Sequence, residues 1–197
     1  MADSKLIWAS TRPADGGVFF RAPLGTTLPT MADAPWAEED IDPAFVDHGW
    51  MGDDGITNGM QRDRTDHQAF GGDIVKSTQD KYTETLKLTC YESNPVVLAT
   101  VFGADNVTVD ETSGHRQVTV NHSSLPLERS VFLARVIEGD KTRLIRVQEG
   151  EIITVDDVVH LNSQLVKYTV TIMCYKPDAD TDAVSELIDE PDVLAGS

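Results

Sequence analysis

The sequence predicts a mainly β protein with one short helix, and three patterns carry that prediction. Residues 82–91 alternate between a mostly apolar face and a Thr-rich polar face, and residues 166–175 repeat this alternation. A period of two is typical of half-buried strands, and β-branched Thr fits a pleated surface. The third pattern is a single apolar segment, residues 93–103, with helix signals at both ends.

The predicted helix has recognisable boundaries. Ser93 or Asn94 can cap its first turn, Pro95 lies where a first-turn proline is tolerated, and Gly103 can end it. The residues between these signals are apolar almost all round. We therefore expect the helix to pack against a sheet.

Shorter strands are predicted where runs with strand propensity are bounded by turn residues. The turns at Gly114 and Gly139 each separate two such runs, which predicts two hairpins. One further strand follows a Gly-Gly pair near the start, and another follows Gly150. The strands predicted in this way are residues 18–22, 106–110, 117–121, 131–137, 142–147 and 151–155.

A long acidic loop is predicted between the first strand and the strand at 82–91. Residues 32–54 hold eight acids, no Lys or Arg, and two of the three tryptophans, and residues 55–72 continue as a polar, Gly-rich stretch. Such long loops are usually functional or disordered. Tryptophan in a charged loop favours docking on another surface.

The end of the chain differs in composition from the rest. Residues 177–197 carry seven acids and no basic residue, which predicts a flexible, solvated acidic tail. The alternative is that Val184, Leu187 and Ile188 form one amphipathic turn on a partner.

The charge balance argues against a nucleic-acid-binding protein. The chain carries 33 acidic residues against 16 Lys and Arg, a formal net charge of −17, whereas phosphate affinity comes largely from Lys and Arg. The first ten residues lack a signal-peptide pattern, and the longest apolar stretch, residues 96–102, is too short to span a bilayer. We expect a protein made in a cytoplasm, with no membrane partner. Cys90 and Cys174 lie on the apolar faces of two predicted strands, so we expect buried free thiols.

No motif in the sequence predicts catalysis. A phosphate-binding glycine loop, a dinucleotide fingerprint and a nucleophile elbow are all absent from the sequence. His115 and His122 are seven residues apart along a predicted strand, on opposite faces. Asp53-Asp54-Gly55 lacks the oxygen spacing and closing Glu of a calcium loop. We therefore predict no enzyme, no cofactor and no metal site.

Several segments resemble a known family in their order along the chain. Residues 16–30, GGVFFRAPLGTTLPT, resemble the opening of the major tail proteins of long, non-contractile-tailed bacteriophages of actinobacteria. Residues 71–75, GGDIV, resemble the segment that re-enters the sheet in those proteins. Residues 84–88 and 92–98, ETLKL and ESNPVVL, followed by Phe102-Gly103, resemble their strand–helix unit, and residues 167–172, KYTVTI, resemble their last strand.

The resemblance implies a tail-tube fold: a β-sandwich or half-barrel with a flanking helix. Residues 1–176 would form this domain, with the long loop at about 32–72, and residues 177–197 the acidic tail. The implied function is structural: stacked hexameric rings form the tail tube, the conduit for genome delivery. The implied partners are further copies of the chain, the tape-measure protein, the tail tip and the tail terminator. The implied location is the virion tail, after assembly in the host cytoplasm.

Two sets of residues are candidates for contacts between subunits. Aromatic residues of the acidic loop are candidates for docking between rings, with a local core inside one subunit as the alternative. Three lysines are candidates for pairing with acids across subunits, with ordinary solvated lysines as the alternative. The candidates are Trp36, Phe45, Trp50, Lys81, Lys87 and Lys167.

The acid excess suggests a further hypothesis for a conduit. DNA moving through a channel lined with carboxylates is repelled by the wall, whereas a basic lining would retain it. Other functions are left open by the residues themselves. A tail terminator, a head–tail connector or a capsid decoration protein would also be an acidic β-protein without catalytic motifs, and a carbohydrate-binding β-sandwich would use Trp36, Trp50 and Tyr82 on a flat face.

Overall fold

A computed structural model describes residues 7–11, 17–112 and 114–191 of the 197-residue chain. Within these residues the chain forms ten strands, one α-helix and three short 3-10 turns, which confirms the predicted class, mainly β with one short helix. The strands are β1 (Phe19–Pro23), β2 (Val46–Asp47), β3 (Met51–Gln68), β4 (Ile74–Cys90), β5 (Val107–Asp110), β6 (Gln117–Val120), β7 (Ser130–Glu138), β8 (Lys141–Val155), β9 (Tyr168–Tyr175) and β10 (Val184–Asp189). The helix α1 spans Pro95–Phe102, and the 3-10 turns are Met31–Asp33, Glu38–Asp40 and Ala104–Asn106.

Eight of these strands form one antiparallel sheet. The order across it is β2-β1-β7-β8-β9-β4-β3, and β10 pairs with β8 in addition. The first half of β8 lies between β7 and β10, where Ile145 pairs with Ala134 on one side and Glu186 on the other. Its second half pairs with β9. The sheet therefore forks along β8. The predicted hairpin of β5 and β6 forms a separate two-stranded sheet.

Both faces of the sheet are covered around β1 and β7. Phe19 belongs to a core cluster shared with β4, β8, β9 and α1, whereas Phe20 belongs to a second cluster on the opposite face. Successive side chains of a strand point to opposite faces, so a strand buried on both faces needs a continuous apolar run. β7 has such a run, and its residues Ser130 to Arg135 are all buried.

Helix α1 forms where the sequence predicts it. The Asn94 side chain accepts a hydrogen bond from the backbone N–H of Val97 at 2.8 Å, and Pro95 opens the first turn. Gly103 ends the helix with φ of 93°, a conformation that glycine adopts without strain. Val97, Leu98 and Val101 are buried in the first core cluster, so the helix packs on the sheet as expected.

The prediction of a long loop is wrong for the second half of its range. Residues 51–68 form β3, which pairs with β4 along almost its whole length, from Ile56 opposite Leu88 to Gln68 opposite Ile74. Beyond the core the two strands continue as a two-stranded hairpin, residues 59–83, called the ribbon below. Nearly every ribbon residue is exposed. Alternation of apolar and polar residues is absent because neither face of the ribbon is buried.

The prediction of a flexible tail is also wrong for part of its range. Val184–Asp189 forms β10, in register with Thr142 to Val147 of β8. Leu187 packs against the second core cluster and Val184 against the first, so this segment belongs to the sheet and does not form an amphipathic turn. Residues 192–197 of the predicted tail lie outside the described residues.

Gly150 is part of a continuous strand. The strands predicted at 142–147 and 151–155 are both contained in β8, and Gly150 pairs with Ser130 and Cys174. A Cβ atom at this position would lie 2.8 Å from Ile172 Cγ2 and 2.9 Å from the Phe132 ring. Close packing, not a turn, therefore requires glycine here.

Candidate assembly surfaces

An apolar groove of about 600 Å³ lies between β1, β2, the first turns of α1 and the segment before β7. Leu24 and Val46 are exposed at this groove and form part of one contiguous apolar surface, and such surfaces mark interaction sites more often than single exposed side chains do. The charged residues Glu128 and Arg129 lie beside it. Its main apolar lining residues are Pro23, Leu24, Val46, Pro95, Val96 and Ala99.

Arg21 joins the groove to the helix. Its Nε donates a hydrogen bond to Ser130 Oγ at 2.8 Å, and its Nη1 donates to the carbonyl oxygen of Ala99 at 3.3 Å. Burial lowers the pKa of the guanidinium, and the negative charge of Glu128 acts in the opposite direction. The positive charge is held in place by these partners at the inner wall of the groove.

His48 lies next to this wall and is fully buried. One ring nitrogen, Nε2, lies 2.9 Å from Thr100 Oγ1, and the other, Nδ1, lies 3.2 Å from the carbonyl oxygen of Phe19. Burial lowers the pKa of His48 to about 4, the Phe19 carbonyl acts against this shift, and the nearby Arg21 charge adds to it. The imidazole is therefore neutral at pH 7 and ties β1 to α1.

The ribbon carries exposed apolar side chains at its tip. Its turn is closed by hydrogen bonds from the backbone N–H of Ala69 to the carbonyl of Asp73 at 2.8 Å and from Gly72 to Ala69 at 3.0 Å. Gly71 and Gly72 adopt φ values of 121° and 97°. The Phe70 side chain is fully exposed at this tip, and Ile74 and Val75 are exposed beside it.

Polar contacts order the ribbon along its length. At its base, Glu84 is buried and accepts hydrogen bonds from Asn58 Nδ2 at 3.1 Å and from the Tyr82 hydroxyl at 2.8 Å. The Arg62 guanidinium lies 4.7 Å from the centre of the Tyr82 ring, on the outer side of this cluster. These contacts fix the base of the ribbon to the sheet.

Two of the aromatic candidates lie inside the subunit. Trp36 is 0% exposed and Phe45 is also buried, both in the second core cluster, and Trp36 Nε1 donates to the carbonyl oxygen of Thr30 at 2.7 Å. Arg135, buried in β7, donates hydrogen bonds to the carbonyl oxygens of Trp36 and Gly17. This arrangement is the local core that was the alternative interpretation of the loop. A contact of Trp36 or Phe45 with another subunit stays a prediction. Neither side chain is exposed in the single subunit.

Trp50 is placed differently. It is 58% exposed, directly before β3, and its backbone N–H donates to Glu92 Oε1 at 2.8 Å. Trp50 also borders a second surface cavity, of about 600 Å³, together with Asp53, Asp54 and Arg143.

The three lysine candidates occupy two places. Lys87 and Lys167 line the same polar cavity, and Lys87 Nζ lies 2.9 Å from Asp156 Oδ2 within the subunit. Lys81 is on the ribbon, opposite Asp63 in the strand register. Whether these lysines pair with acids of other subunits stays a prediction.

Comparison with known proteins identifies the family. The sequence model described as phage tail tube protein matches residues 3–193, nearly the whole chain. The chain belongs to the phage tail tube protein family. No curated protein matches the sequence of this tail tube protein. A solved structure, the tube terminating cap of the anti-feeding prophage, is similar over 95% of this chain and 99% of that chain, at 8% identity and a TM-score of 0.41.

The family assigns the chain a structural role in the phage tail and no enzymatic activity. Among residues 7–11, 17–112 and 114–191, no three His, Cys, Asp or Glu side chains are arranged to hold a metal ion. Within the same described part of the tail tube protein, no helix is long and apolar enough to cross a membrane. Cys90 and Cys174 are free and buried, as expected.

The groove and the tip of the ribbon were not predicted from the sequence. The groove forms from four segments far apart in sequence, so no local pattern points to it. The tip left a weak signal, since Phe70 precedes Gly71-Gly72 in a stretch that is otherwise polar. Glycine pairs are typical of turns, so the sequence does place Phe70 next to a turn, but no pattern indicates that it makes a contact.

Proposed function

We propose that this tail tube protein forms hexameric rings that stack into a hollow tube, the conduit for genome delivery. Membership of the tail tube family is the observation that carries the proposal. The number six comes from the resemblance described above. The further partners are proposed on the same ground: the tape-measure protein, the tail tip and the tail terminator.

The edges of the sheet support assembly into a closed ring. β3 is an edge strand of eighteen residues, and β2, the strand at the other end, has only two residues and leaves most of β1 uncovered. Unpaired strand edges are normally protected by covering or closure. If the sheet of each subunit continues into that of the next around a ring, these two edges are removed.

The polar face of the sheet is the proposed wall of the conduit. On β8 and β9 it presents Glu149, Glu151, Thr171 and Tyr175, while α1 packs on the other face. Arg129 contacts both glutamates and lies over the Tyr175 ring. Its positive charge is thus shared between two carboxylates, which agrees with a wall that does not retain DNA.

Electron microscopy of the purified chain, combined with light scattering, tests the proposal. We expect rings or hollow tubes of uniform diameter and particle masses that grow with protein concentration. A terminator would give one ring and stop, so a particle of fixed mass would contradict polymerisation. A monomer at every concentration, also after addition of preformed tail tips, would contradict the self-assembly on which the function rests.

The segment that makes the contact between rings is tested by deletion. Removal of residues 33–54 is unsuitable, because Trp36, Ile41 and Phe45 from this segment are buried in the second core cluster. The ribbon is better suited, since residues 61–81 are almost entirely exposed. Replacement of residues 63–81 by Asn-Gly joins the register partners Arg62 and Tyr82 through a two-residue turn, so it should leave the unfolding midpoint unchanged and abolish tubes. Tubes of normal length from this variant would show that stacking does not depend on the ribbon.

A further inference from the structure

We propose that the apolar groove beside α1 receives the tip of the ribbon of a second copy of this chain, with Phe70 as the inserted side chain. This inference rests on the proposed function, since it specifies one contact between assembled subunits. The groove and the tip are separate surfaces of one chain. A contact between two such surfaces is heterologous, and its repetition gives an open-ended filament.

Size and chemistry match on the two sides. The groove of about 600 Å³ is lined mainly by Pro, Leu, Val and Ala side chains, and it is large enough for a phenylalanine together with a neighbouring aliphatic residue. The tip offers that combination, with Phe70 fully exposed and Ile74 and Val75 exposed beside it. Aromatic anchors that fill apolar pockets carry much of the binding energy at protein interfaces.

The ribbon of one copy can approach the groove of another without net charge repulsion. Residues 59–83 carry four acids and four basic residues, so the ribbon is neutral in a chain whose net charge is −17. Two charged residues at the tip can form ion pairs with groove residues of the other copy. Asp73 has the charge opposite to that of Arg21, and Lys76 has the charge opposite to that of Glu128. A contact with the ribbon therefore avoids the repulsion that other faces of two such chains would experience.

The ribbon of the same subunit does not supply the occupant. Phe70 is fully exposed in the folded chain, and twelve residues at about 3.3 Å each place it about 40 Å along the ribbon from Asn58 at its base. Asn58 and Tyr82 bind the buried Glu84 and fix the base of the ribbon. The tip is therefore held at a distance and available to a neighbour.

Disulfide trapping tests the contact directly. An Ile74→Cys chain, which keeps the Phe70 anchor, mixed with a Leu24→Cys chain should give a cross-linked dimer on mild oxidation, because Ile74 is exposed beside Phe70 and Leu24 lines the groove. Leu161→Cys is the matched control, since Leu161 is 54% exposed, close to the 52% of Leu24, but lies outside the groove. The native Cys90 and Cys174 are buried, so they do not compete. A yield no higher with Leu24→Cys than with Leu161→Cys would overturn the proposal.

A second measurement gives the energetic weight of the contact. Phe70→Ala should raise the protein concentration needed for tube formation by about tenfold or more, as expected for an aromatic anchor. Met60→Ala, an exposed ribbon residue away from the tip, should leave this concentration unchanged. If both variants assemble like the wild type, Phe70 does not anchor the contact, although the tube function stands. If the wild type itself never assembles, the proposed function and this contact both fail.

Discussion

Acidification should destabilise the subunit through His48. The neutral ring is buried between β1 and α1, and its pKa is lowered to about 4 from the ordinary 6.5, with burial as the main cause. Above pH 6.5 neither the folded nor the unfolded state binds the proton. Between pH 6.5 and 4 only the unfolded state binds it, so stability is lost as the pH falls through this window. A shift of about 2.5 units corresponds to about 3 kcal/mol at pH 4 and below.

Urea unfolding followed by tryptophan fluorescence, at several pH values from 7.5 to 4, measures this loss. His48→Gln keeps hydrogen-bonding atoms but cannot bind the proton, so its unfolding free energy should fall less than that of the wild type, by about 3 kcal/mol over the window. His160→Gln, at an exposed position, is the control and should follow the wild type. The lowered pKa values of Asp33, Asp110 and Asp178 affect all three proteins equally. Identical pH dependence of wild type and His48→Gln would refute the reasoning.

Three further substitutions and one labelling experiment test the packing. Trp36→Ala should cost about 3–5 kcal/mol of unfolding free energy because the ring is fully buried, whereas Trp50→Ala should cost less than about 1 kcal/mol; equal losses in urea unfolding would contradict the core assignment. Gly150→Val should destabilise by at least about 2 kcal/mol, since even a Cβ meets Phe132 and Ile172 below 3.0 Å; an unchanged unfolding midpoint would contradict it. Cys90 and Cys174, whose thiol pKa values burial raises to about 12, should react with a thiol reagent only after unfolding; rapid native labelling would contradict their burial.

The sequence predicts those elements whose two faces differ in environment. In the half of β4 that reaches the core, Leu86, Leu88 and Cys90 point into the core cluster and the residues between them do not, so the alternation is visible. Helix α1 is visible because its capping residues Asn94 and Gly103 act locally. In both cases the physical cause of the structure lies within about ten residues of chain.

The remaining elements depend on contacts distant in sequence. Beyond Asn58, β3 has solvent on both faces and a free edge, so its residues need no apolar alternation and resemble a loop. β10 is acidic like a solvated tail, yet Val184 and Leu187 reach apolar clusters on β8. The acidic neighbours of Trp36 in the sequence suggested an exposed side chain. In the structure its carbonyl oxygen accepts a hydrogen bond from Arg135, and its ring is buried in the second core cluster.

The candidate contact residues were also predicted only in part. The six residues proposed from composition include Trp50 and three lysines at the surface, but composition alone did not separate these from the buried Trp36 and Phe45. The groove brings together residues near positions 22, 46, 96 and 129, and a surface of that kind is visible only once the chain is folded.

The pairing of β1 with β7 has a consequence for synthesis of the subunit. Phe20 lies opposite Leu133, so the chain must emerge from the ribosome to about residue 138 before β1 finds its neighbour. The ribbon and α1 need only nearby residues and can form much earlier, because contacts close in sequence form fastest. β10 is the last of the described strands to emerge, and it completes the pairing along β8. The sheet of a nascent subunit therefore stays open along this part of β8 until β10 has been made.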